Sequence, residues 1–413
     1  MTKTKAVLIS VGGSLEPLLY TLNTLQPEII IFFASSETKE KVPEIIQRLK
    51  YKPKGGTDQI VISSSEVLGE CYQNLIKQIP DKLKIFNLSP KELVIDYTGG
   101  TKTMSAALVL ATIELGCSYS YVGGLERNKG GVGIVIEDKE KAYYFTNPYD
   151  DLAVAERKKV NLLFNKARYT SALEVVQDIC SKVTESEKPY YQMWKEIIEG
   201  YQLWDKFDHR KAKYHFEKGY HQLKLLSSKN PELIQITDKI KDNLTFLNNI
   251  NGTGRDQFIV YDLIANSKRR AELENKYDDA VARLYRVIEK MAQVRLKSIY
   301  KIDTGNVILD QLAISSSAKE KYLKYKDSKD NKVKLPLFAS YSLLSELGDS
   351  LGRAFFKVYD MKLKPLLDTR NHSILAHGDK KIEKDTYEKM LEVVIEFGEI
   401  DKTKIPHFPE LNL

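Results

Sequence analysis

The fold of the N-terminal part is decided by residues 92–116, which read ELVIDYTGGTKTMSAALVLATIELG. The run LVI at residues 93–95 is typical of a short strand that is buried on both faces. Two glycines then allow a sharp turn, and residues 101–116 have a strong helix pattern that ends at Gly116, a natural C-cap. The stretch therefore predicts a strand, a tight loop and a helix in direct succession.

The same order of strand, loop and helix repeats on both sides of this stretch. Further strands are predicted at residues 6–13, 28–36, 59–65 and 118–124, with a closing hairpin from residues 131–137 and 141–146. Helix patterns at residues 14–25, 38–49 and 65–79 separate the first strands. Alternating strands and helices predict a parallel sheet with right-handed crossovers. We therefore predict an α/β, Rossmann-like domain over residues 1–147.

Several of these strands end in small, hydroxyl-bearing or glycine-rich loops. Open α/β sheets bind ligands at the carboxyl ends of their strands. The helix that follows the fourth strand would offer free N–H groups and the positive end of its dipole to an anion, and Lys102 adds a full charge. These features predict a polar phosphodiester ligand. The predicted ligand-binding residues are Gly12, Gly13, Ser14, Ser35, Ser36, Thr98, Gly99, Gly100, Thr101 and Lys102.

A purely structural interpretation of the fourth loop is also open. Gly99 and Gly100 could form only a tight turn, with Thr101 as the N-cap of the next helix. The matching chemistry of four loops favours a ligand. The loop has neither the GxxxxGK[ST] nor the GxGxxG pattern, so ATP hydrolysis and dinucleotide redox chemistry are disfavoured.

The composition predicts a cytoplasmic protein of two or three domains. The 413 residues exceed what one core usually organises. No apolar run reaches the roughly 18 residues that span a bilayer, so no membrane partner is expected. The three cysteines are scattered without CxxC spacing, which fits neither a disulfide framework nor a zinc site. The net charge of +7 is compatible with a nucleic acid partner and is weak support alone.

From residue 151 onward the pattern is helical. Residues 148–250 carry aromatic and charged residues at helical spacing and are predicted to form an all-α linker domain. The segment NNINGTGRD at residues 248–256 is the best linker in this half. Residues 251–413 are predicted to form a second all-α domain, in which LKPLLDTRNHSILAHG at residues 363–378 is expected to be one helix.

Within that helix, the segment RNHSILAHG at residues 370–378 contains two of the six histidines of the chain. Metal-free RNA cleavage needs groups that move protons between the 2′-hydroxyl and the leaving 5′-oxygen, and a cation beside the charged phosphorane. Histidine suits the first role and the arginine fork suits the second. We therefore predict Arg370, Asn371 and His377 as catalytic residues, with no metal ligands, and treat His372 as secondary.

The spacing of Arg370 and His377 has a consequence for assembly. On one helix they would share a face but lie about 10.5 Å apart along the axis. A second copy of the chain, placed across a two-fold axis, would bring Arg and His from both subunits into one cleft. The spacing thus predicts a composite site in a homodimer. The structural alternative is that these residues only cap the helix or lie on its surface.

The two motifs together resemble the CARF–HEPN accessory ribonucleases of type III CRISPR systems. Residues 96–102, followed by Met104, resemble the signature loop of the CRISPR-associated Rossmann fold, abbreviated CARF. Arg370-Asn371 followed by His377 resembles the R-X4-6-H motif of HEPN ribonucleases, and residues 266–293 are similar to the start of a HEPN region. The resemblance covers both ends of the chain and the middle helices only loosely.

This resemblance implies a concrete function. The CARF domain would bind a cyclic oligoadenylate, an allosteric activator, with no further cofactor. Binding would rearrange a HEPN homodimer and activate metal-independent cleavage of single-stranded RNA, giving 2′,3′-cyclic phosphate ends in antiviral defence. By motif position, Arg370, Asn371 and His377 would carry the catalysis and residues 99–102 would contact the activator. Some relatives also cleave the activator slowly, and the sequence does not fix whether this chain does.

Two other functions are compatible with parts of the sequence. One is a ligand sensor that regulates transcription without catalysis, which would need a basic recognition helix that the sequence does not clearly show. The other is a toxin-like ribonuclease that acts on tRNA without a ligand. Lys268-Arg269-Arg270 could contact RNA phosphates, but a solvated helix face is the favoured interpretation.

Overall fold

The computed structural model describes residues 4–124, 140–148, 153–252, 255–376 and 378–413. Contacts group the chain into two compact units, residues 1–156 with 181–187 and residues 157–180 with 188–413. The predicted boundary near residue 250 lies inside the second unit. The division into domains 1–147, 148–250 and 251–413 therefore stays a prediction.

A six-stranded sheet with the order β3-β2-β1-β4-β5-β6 organises the first unit. Its strands are β1 (Ala6–Ser10), β2 (Ile29–Ser35), β3 (Gly56–Ile62), β4 (Leu93–Asp96), β5 (Ser118–Gly124) and β6 (Glu140–Phe145). The first five strands pair in parallel, and β6 joins β5 antiparallel. The predicted Rossmann-like sheet is confirmed, while the expected strand at residues 131–137 lies outside the described residues.

Helices cover both faces of this sheet. They are α1 (Glu16–Leu25), α2 (Val42–Arg48), α3 (Leu68–Ile85) and α4 (Lys102–Thr112). Apolar residues of α1 and α2 form a core with one face, and those of α3 and α4 form a core with the other. Both faces of the central strands are thus buried, which explains why their sequences are continuous apolar runs rather than alternating ones.

Helix α4 ends at Thr112, four residues before the C-cap that the sequence indicated at Gly116. The hydroxyl of Thr112 donates to the carbonyl of Leu108 at 2.7 Å and lies 3.0 Å from the hydroxyl of Tyr119. A side chain that bonds its own helix backbone in this way competes with continued helical pairing. Gly116, at φ +80°, then turns the chain towards β5.

The second unit is built of helices, as predicted. They are α5 (Val154–Asn165), α6 (Tyr169–Lys182), α7 (Lys188–Asp205), α8 (His209–Ser227), α9 (Ile234–Asn251), α10 (Arg255–Lys268), α11 (Tyr277–Tyr300), α12 (Ser316–Leu323), α13 (Leu337–Glu346), α14 (Ser350–Val358), α15 (Lys364–Asn371) and α16 (Lys384–Phe397). A π-helical turn, Arg269–Leu273, follows α10. None of the helices in the described part of the chain is long and apolar enough to cross a membrane.

An aromatic cluster ties the C-terminal tail to the helices of this unit. The ring of Phe408 lies 4.5 Å from Tyr201 and 4.9 Å from Trp204, centre to centre. Both partners are fully buried. Asn165 holds the following residues, since its amide exchanges two hydrogen bonds with the backbone of Leu411. Many of the aromatic residues that the sequence places at helical spacing, Tyr201 and Trp204 among them, are therefore core residues here.

Candidate functional sites

The first candidate site lies at the carboxyl edge of the sheet, between β1 and β4. These strands are hydrogen-bonded neighbours, and the chain leaves them towards helices on opposite faces. A Cβ atom at Gly99 would lie 2.2 Å from the carbonyl oxygen of Ser10, and one at Gly12 would lie 2.5 Å from the nitrogen of Gly100. The two loop backbones therefore approach so closely that only glycine fits. Open α/β sheets bind their ligands at such a switch point.

Asp96, the last residue of β4, anchors this loop. Its carboxylate is fully buried and accepts hydrogen bonds from the hydroxyls of Thr21 (2.9 Å) and Ser120 (2.7 Å) and from the N–H of Thr98 (3.0 Å). Burial raises the pKa of Asp96 above its ordinary value, although these donors act in the opposite direction. Asp96 belongs to the sequence motif, but no role was predicted for it; a carboxylate at the end of a buried strand was the available signal.

Four of the predicted ligand-binding hydroxyls make hydrogen bonds within the protein. The pairs are Ser35 with the Thr38 hydroxyl (3.2 Å), Ser36 with the Ile62 carbonyl (3.3 Å), Thr98 with the Val122 N–H (2.9 Å) and Thr101 with the Ser65 carbonyl (2.6 Å). These side chains hold the loops in shape. They would therefore act on a ligand indirectly, by fixing the loop backbone around it.

Thr101 also caps α4, because its hydroxyl oxygen accepts a hydrogen bond from the N–H of Met104 at 3.2 Å. The first N–H groups of the helix, those of Lys102 and Thr103, have no acceptor inside the helix. Lys102 is exposed. The two interpretations of this loop are therefore compatible, since the same turn caps a helix and presents donors to an anion.

Lys41 is a residue of this edge that the sequence analysis missed. Its ammonium group donates to the carbonyl of Gly13 at 2.8 Å, which places a second cation beside the loop after β1. Gly13 and Ser14 are both exposed there. Lys39 and Lys41 both lie in the segment after β2. Nothing in the sequence indicates which of the two contacts the loop after β1.

The second candidate site is the segment after α15 in the second unit. The expectation of one helix through residues 363–378 is wrong, because α15 ends at Asn371. The chain folds back instead: Ser373 pairs with Lys380, and the N–H of Gly378 donates to the Ser373 carbonyl at 3.2 Å. A Cβ at Gly378 would lie 2.2 Å from the carbonyl oxygen of His372, so this crossing needs a glycine. The spacing along a common helix therefore no longer argues for a dimer.

Arg370 lies in the last turn of α15 and is half-buried. Two contacts of its guanidinium group lie among the described residues. The carbon Cζ is 4.3 Å from the centre of the Tyr285 ring, and Nη1 donates to Oδ1 of Asn371 at 3.2 Å. The structure thus brings Arg370 and Asn371 together, and His377 lies outside the described residues. Tyr285, on α11, was not singled out from the sequence.

His372 is exposed and has a defined hydrogen-bonding state. Its Nδ1 donates to the carbonyl of Asp368 at 2.7 Å, so Nε2 is the unprotonated nitrogen of the neutral ring. Lys380 lies beside it, because its N–H donates to the His372 carbonyl at 3.1 Å and its side chain is exposed. Lys380 was not predicted from the sequence, because only the reversal of the chain after α15 brings it next to His372.

Comparison with known proteins identifies this arrangement. The family model described as the Csm6 6H domain matches residues 152–247, and the one described as the Csm6 HEPN domain matches residues 251–401. A solved structure, Enterococcus italicus Csm6 bound to cyclic hexa-2'-fluoro-hexa-dAMP, is 14% identical and covers 97% of this chain and 96% of its own, with a TM-score of 0.56. This chain belongs to the Csm6-type CARF–HEPN proteins. The resemblance drawn from the two motifs is therefore confirmed.

The HEPN match supports a ribonuclease, and the motif with Arg370 lies within the matched residues. A second solved structure, Can2 from Sulfobacillus thermosulfidooxidans in complex with cyclic tetra-adenylate, is 12% identical and covers 55% of this chain and 70% of its own, with a TM-score of 0.25. No curated protein matches the sequence.

Within the HEPN domain, Arg269 and Arg270 are not on the solvated helix face that we expected. Arg269 is 7% exposed, and its Nε donates to Asp205 at 3.0 Å. Arg270 pairs with Asp205 and Glu274. Both guanidinium groups are neutralised inside the unit, at the π-helical turn after α10. They therefore hold helices together and do not offer charge to RNA phosphates.

Proposed function

We propose that this Csm6-type protein is an endoribonuclease that a cyclic oligoadenylate activates and that cleaves single-stranded RNA without a metal ion, in type III CRISPR defence. The proposal rests on two features of one chain: a loop edge suited to an anion at the β1/β4 switch point, and an Arg370-Asn371 pair at the end of α15 in a HEPN domain. The first feature suits a sensor and the second suits a catalyst.

In the sensor, the activator would occupy the crevice between β1 and β4. The backbone donors of residues 12–14 and 99–102 would bind phosphate oxygens, and Lys102 would add charge. The residues that would line this edge of the sheet are the predicted ones, namely Gly12, Gly13, Ser14, Ser35, Ser36, Thr98, Gly99, Gly100, Thr101 and Lys102. The Enterococcus italicus relative, bound to a cyclic hexanucleotide analogue, supports a cyclic oligonucleotide as the ligand class.

In the catalyst, Arg370 would stabilise the charged phosphorane and His377 would move protons. The 2′-oxygen attacks phosphorus as its proton leaves to a base, and the bond from phosphorus to the 5′-oxygen breaks as that oxygen takes up a proton. The products would be a 2′,3′-cyclic phosphate and a 5′-hydroxyl. The amide of Asn371 orients the guanidinium through Nη1. Arginine and histidine together supply the charge and the proton transfer that this reaction needs.

We include a homodimer in the proposal because of exposed apolar side chains, and no longer because of the spacing of Arg370 and His377 along one helix. Ile374 and Leu375, directly after the Arg370-Asn371 pair, are 66% and 53% exposed. Apolar side chains that are exposed beside a polar catalytic pair suit a second copy of the chain that packs over them. Two such copies would bring both motifs into one cleft.

The test is cleavage of a fluorescent single-stranded RNA by the full chain, with cyclic tetra-adenylate, cyclic hexa-adenylate or no nucleotide, all in the presence of EDTA. We expect cleavage with one of the two rings and 2′,3′-cyclic phosphate ends. His377→Ala should lower the activated rate at least about a hundredfold, and His372→Ala, the matched control in the same motif, by less than about fivefold. Equal activity with and without nucleotide, or full activity in His377→Ala, would contradict the proposal.

A further inference from the structure

We infer that Tyr285 is a positioning residue for Arg370 in RNA cleavage. This inference rests on the proposed function, in which the Arg370 guanidinium stabilises the phosphorane. Tyr285 itself would not contact RNA. It would act by holding the guanidinium plane in one orientation before the substrate binds.

The contact between the two residues has the geometry of a cation–π interaction. Tyr285 lies on α11, and its ring centre is 4.3 Å from Cζ of Arg370, within the range of about 6 Å for such pairs. Both side chains are half-buried, which shields the interaction partly from water and strengthens it. A guanidinium that lies over a ring still presents its N–H edge, and this edge is the part that binds phosphate oxygens.

Glu289, one turn further along α11, lies near the Tyr285 phenol. It pairs with Arg286 at 3.0 Å. Burial, followed by the nearby Glu289 carboxylate, raises the pKa of Tyr285, and Arg370 opposes this shift. The charge of Arg370 thus acts on the Tyr285 side chain, in agreement with their direct contact.

Positioning of this kind changes the chemical step rather than RNA binding. An arginine at the end of a helix, followed by a fold-back, loses much side-chain freedom when it binds a phosphate. A ring that already fixes the plane removes part of this cost before the transition state forms. The loss of the ring should therefore lower kcat and leave KM nearly unchanged.

The experiment measures RNA cleavage by the full chain at saturating activator. Tyr285→Leu should lower kcat about tenfold with KM within about twofold, and Tyr285→Phe, which keeps the ring, should stay within about threefold of the wild type. Tyr214, whose ring lies 4.6 Å from the ammonium group of Lys218 on α8, is the matched control, and Tyr214→Leu should leave kcat unchanged. An unchanged kcat in Tyr285→Leu, or an equal loss in Tyr285→Phe, would overturn the inference.

A second measurement separates this inference from the proposed function. Thermal unfolding of Tyr285→Leu, Arg370→Ala and the double variant tests the contact without any activity. The double variant should shift the unfolding temperature by less than the sum of the two single shifts, because both changes remove the same interaction. Additive shifts would overturn the inference. A wild type that cleaves no RNA would defeat the proposed function, while the unfolding data still decide whether Tyr285 holds Arg370.

Discussion

The indole N–H of Trp204 donates a 2.8 Å hydrogen bond to the carboxylate of Asp262. Trp204 lies at the end of α7, in the region matched by the 6H domain, and Asp262 lies on α10 in the HEPN domain. His209 lies 2.6 Å from the other carboxylate oxygen, and all three side chains are buried. A rearrangement of the HEPN helices must therefore either carry the 6H helices along or break this network.

This network makes a prediction for stability. Asp262→Ala should lower the free energy of unfolding by about 3 kcal/mol, because it leaves His209 and the Trp204 N–H buried without their acceptor. Asp256, on the same helix, is 38% exposed and pairs with Lys290 and Lys297. Asp256→Ala should cost no more than about 1 kcal/mol. Urea unfolding followed by circular dichroism measures both free energies. Equal losses in the two variants would show that the buried network stabilises the protein no more than the exposed ion pairs of Asp256 do.

The fold of the first unit could be predicted from the sequence because it depends on local patterns. Strands that are buried on both faces are continuous apolar runs, and the loops between them carry glycine and hydroxyl residues at regular intervals. The end of α15 could not be predicted in this way. It depends on the backbone of Gly378 passing over His372, which is a contact between segments rather than a propensity.

The site was predictable only where chemistry is concentrated in a few consecutive residues. Arg370 and Asn371 are neighbours in sequence and stay together in the structure. Tyr285 lies on another helix, and no spacing rule connects it to the motif. Arg270 shows the opposite failure, since its partner Asp205 is 65 residues away. A basic segment therefore looked solvated in sequence and is neutralised in the fold.

The close approach of the two sensor loops predicts a loss of activator affinity in Gly99→Ala. The added Cβ would lie 2.2 Å from the carbonyl of Ser10 and would push the loops after β1 and β4 apart. We expect the affinity for the activating cyclic oligoadenylate to fall at least about tenfold in calorimetry, since misplaced donors no longer match the phosphates. Gly69→Ala is the control, because nothing lies within 4 Å of a Cβ there. Equal affinities in both variants would show that the crevice tolerates separation of the loops.

Lys380 predicts a salt-dependent contribution to RNA binding. The fold-back places this exposed lysine beside His372, at the edge of the proposed catalytic segment. Lys380→Ala should raise KM for RNA about threefold and reduce the slope of log KM against log salt by about 0.7, the value for one phosphate contact on a single strand. Lys229→Ala, at an exposed position after α8, should change neither. A raised KM with an unchanged slope would mean that Lys380 acts on the shape of the segment and not on phosphate.

Asp349, the N-cap of α14, makes the stability of the protein depend on pH. Asp349 is buried; its carboxylate accepts hydrogen bonds from Arg295 (2.8 Å), the Tyr300 hydroxyl (3.0 Å) and the N–H of Leu351 (2.8 Å). Burial acts to raise the pKa of Asp349, but these donors outweigh it and hold the pKa below its ordinary value of 3.8. A lowered pKa in the folded state means that the carboxylate stabilises the protein above pH 3.8 and that this stability is lost as pH falls.

Asp349→Asn should therefore lower the free energy of unfolding by about 2 kcal/mol at neutral pH, because the amide keeps the cap but loses the charge that Arg295 pairs with. The difference from the wild type should begin to shrink once the pH falls below 3.8, where the carboxyl of the unfolded chain takes up its proton. Urea unfolding at several pH values measures this difference. Asp242→Asn, at an exposed carboxylate on α9, should show no measurable loss at any pH. A difference that persists at low pH would assign the effect of Asp349 to packing instead of charge.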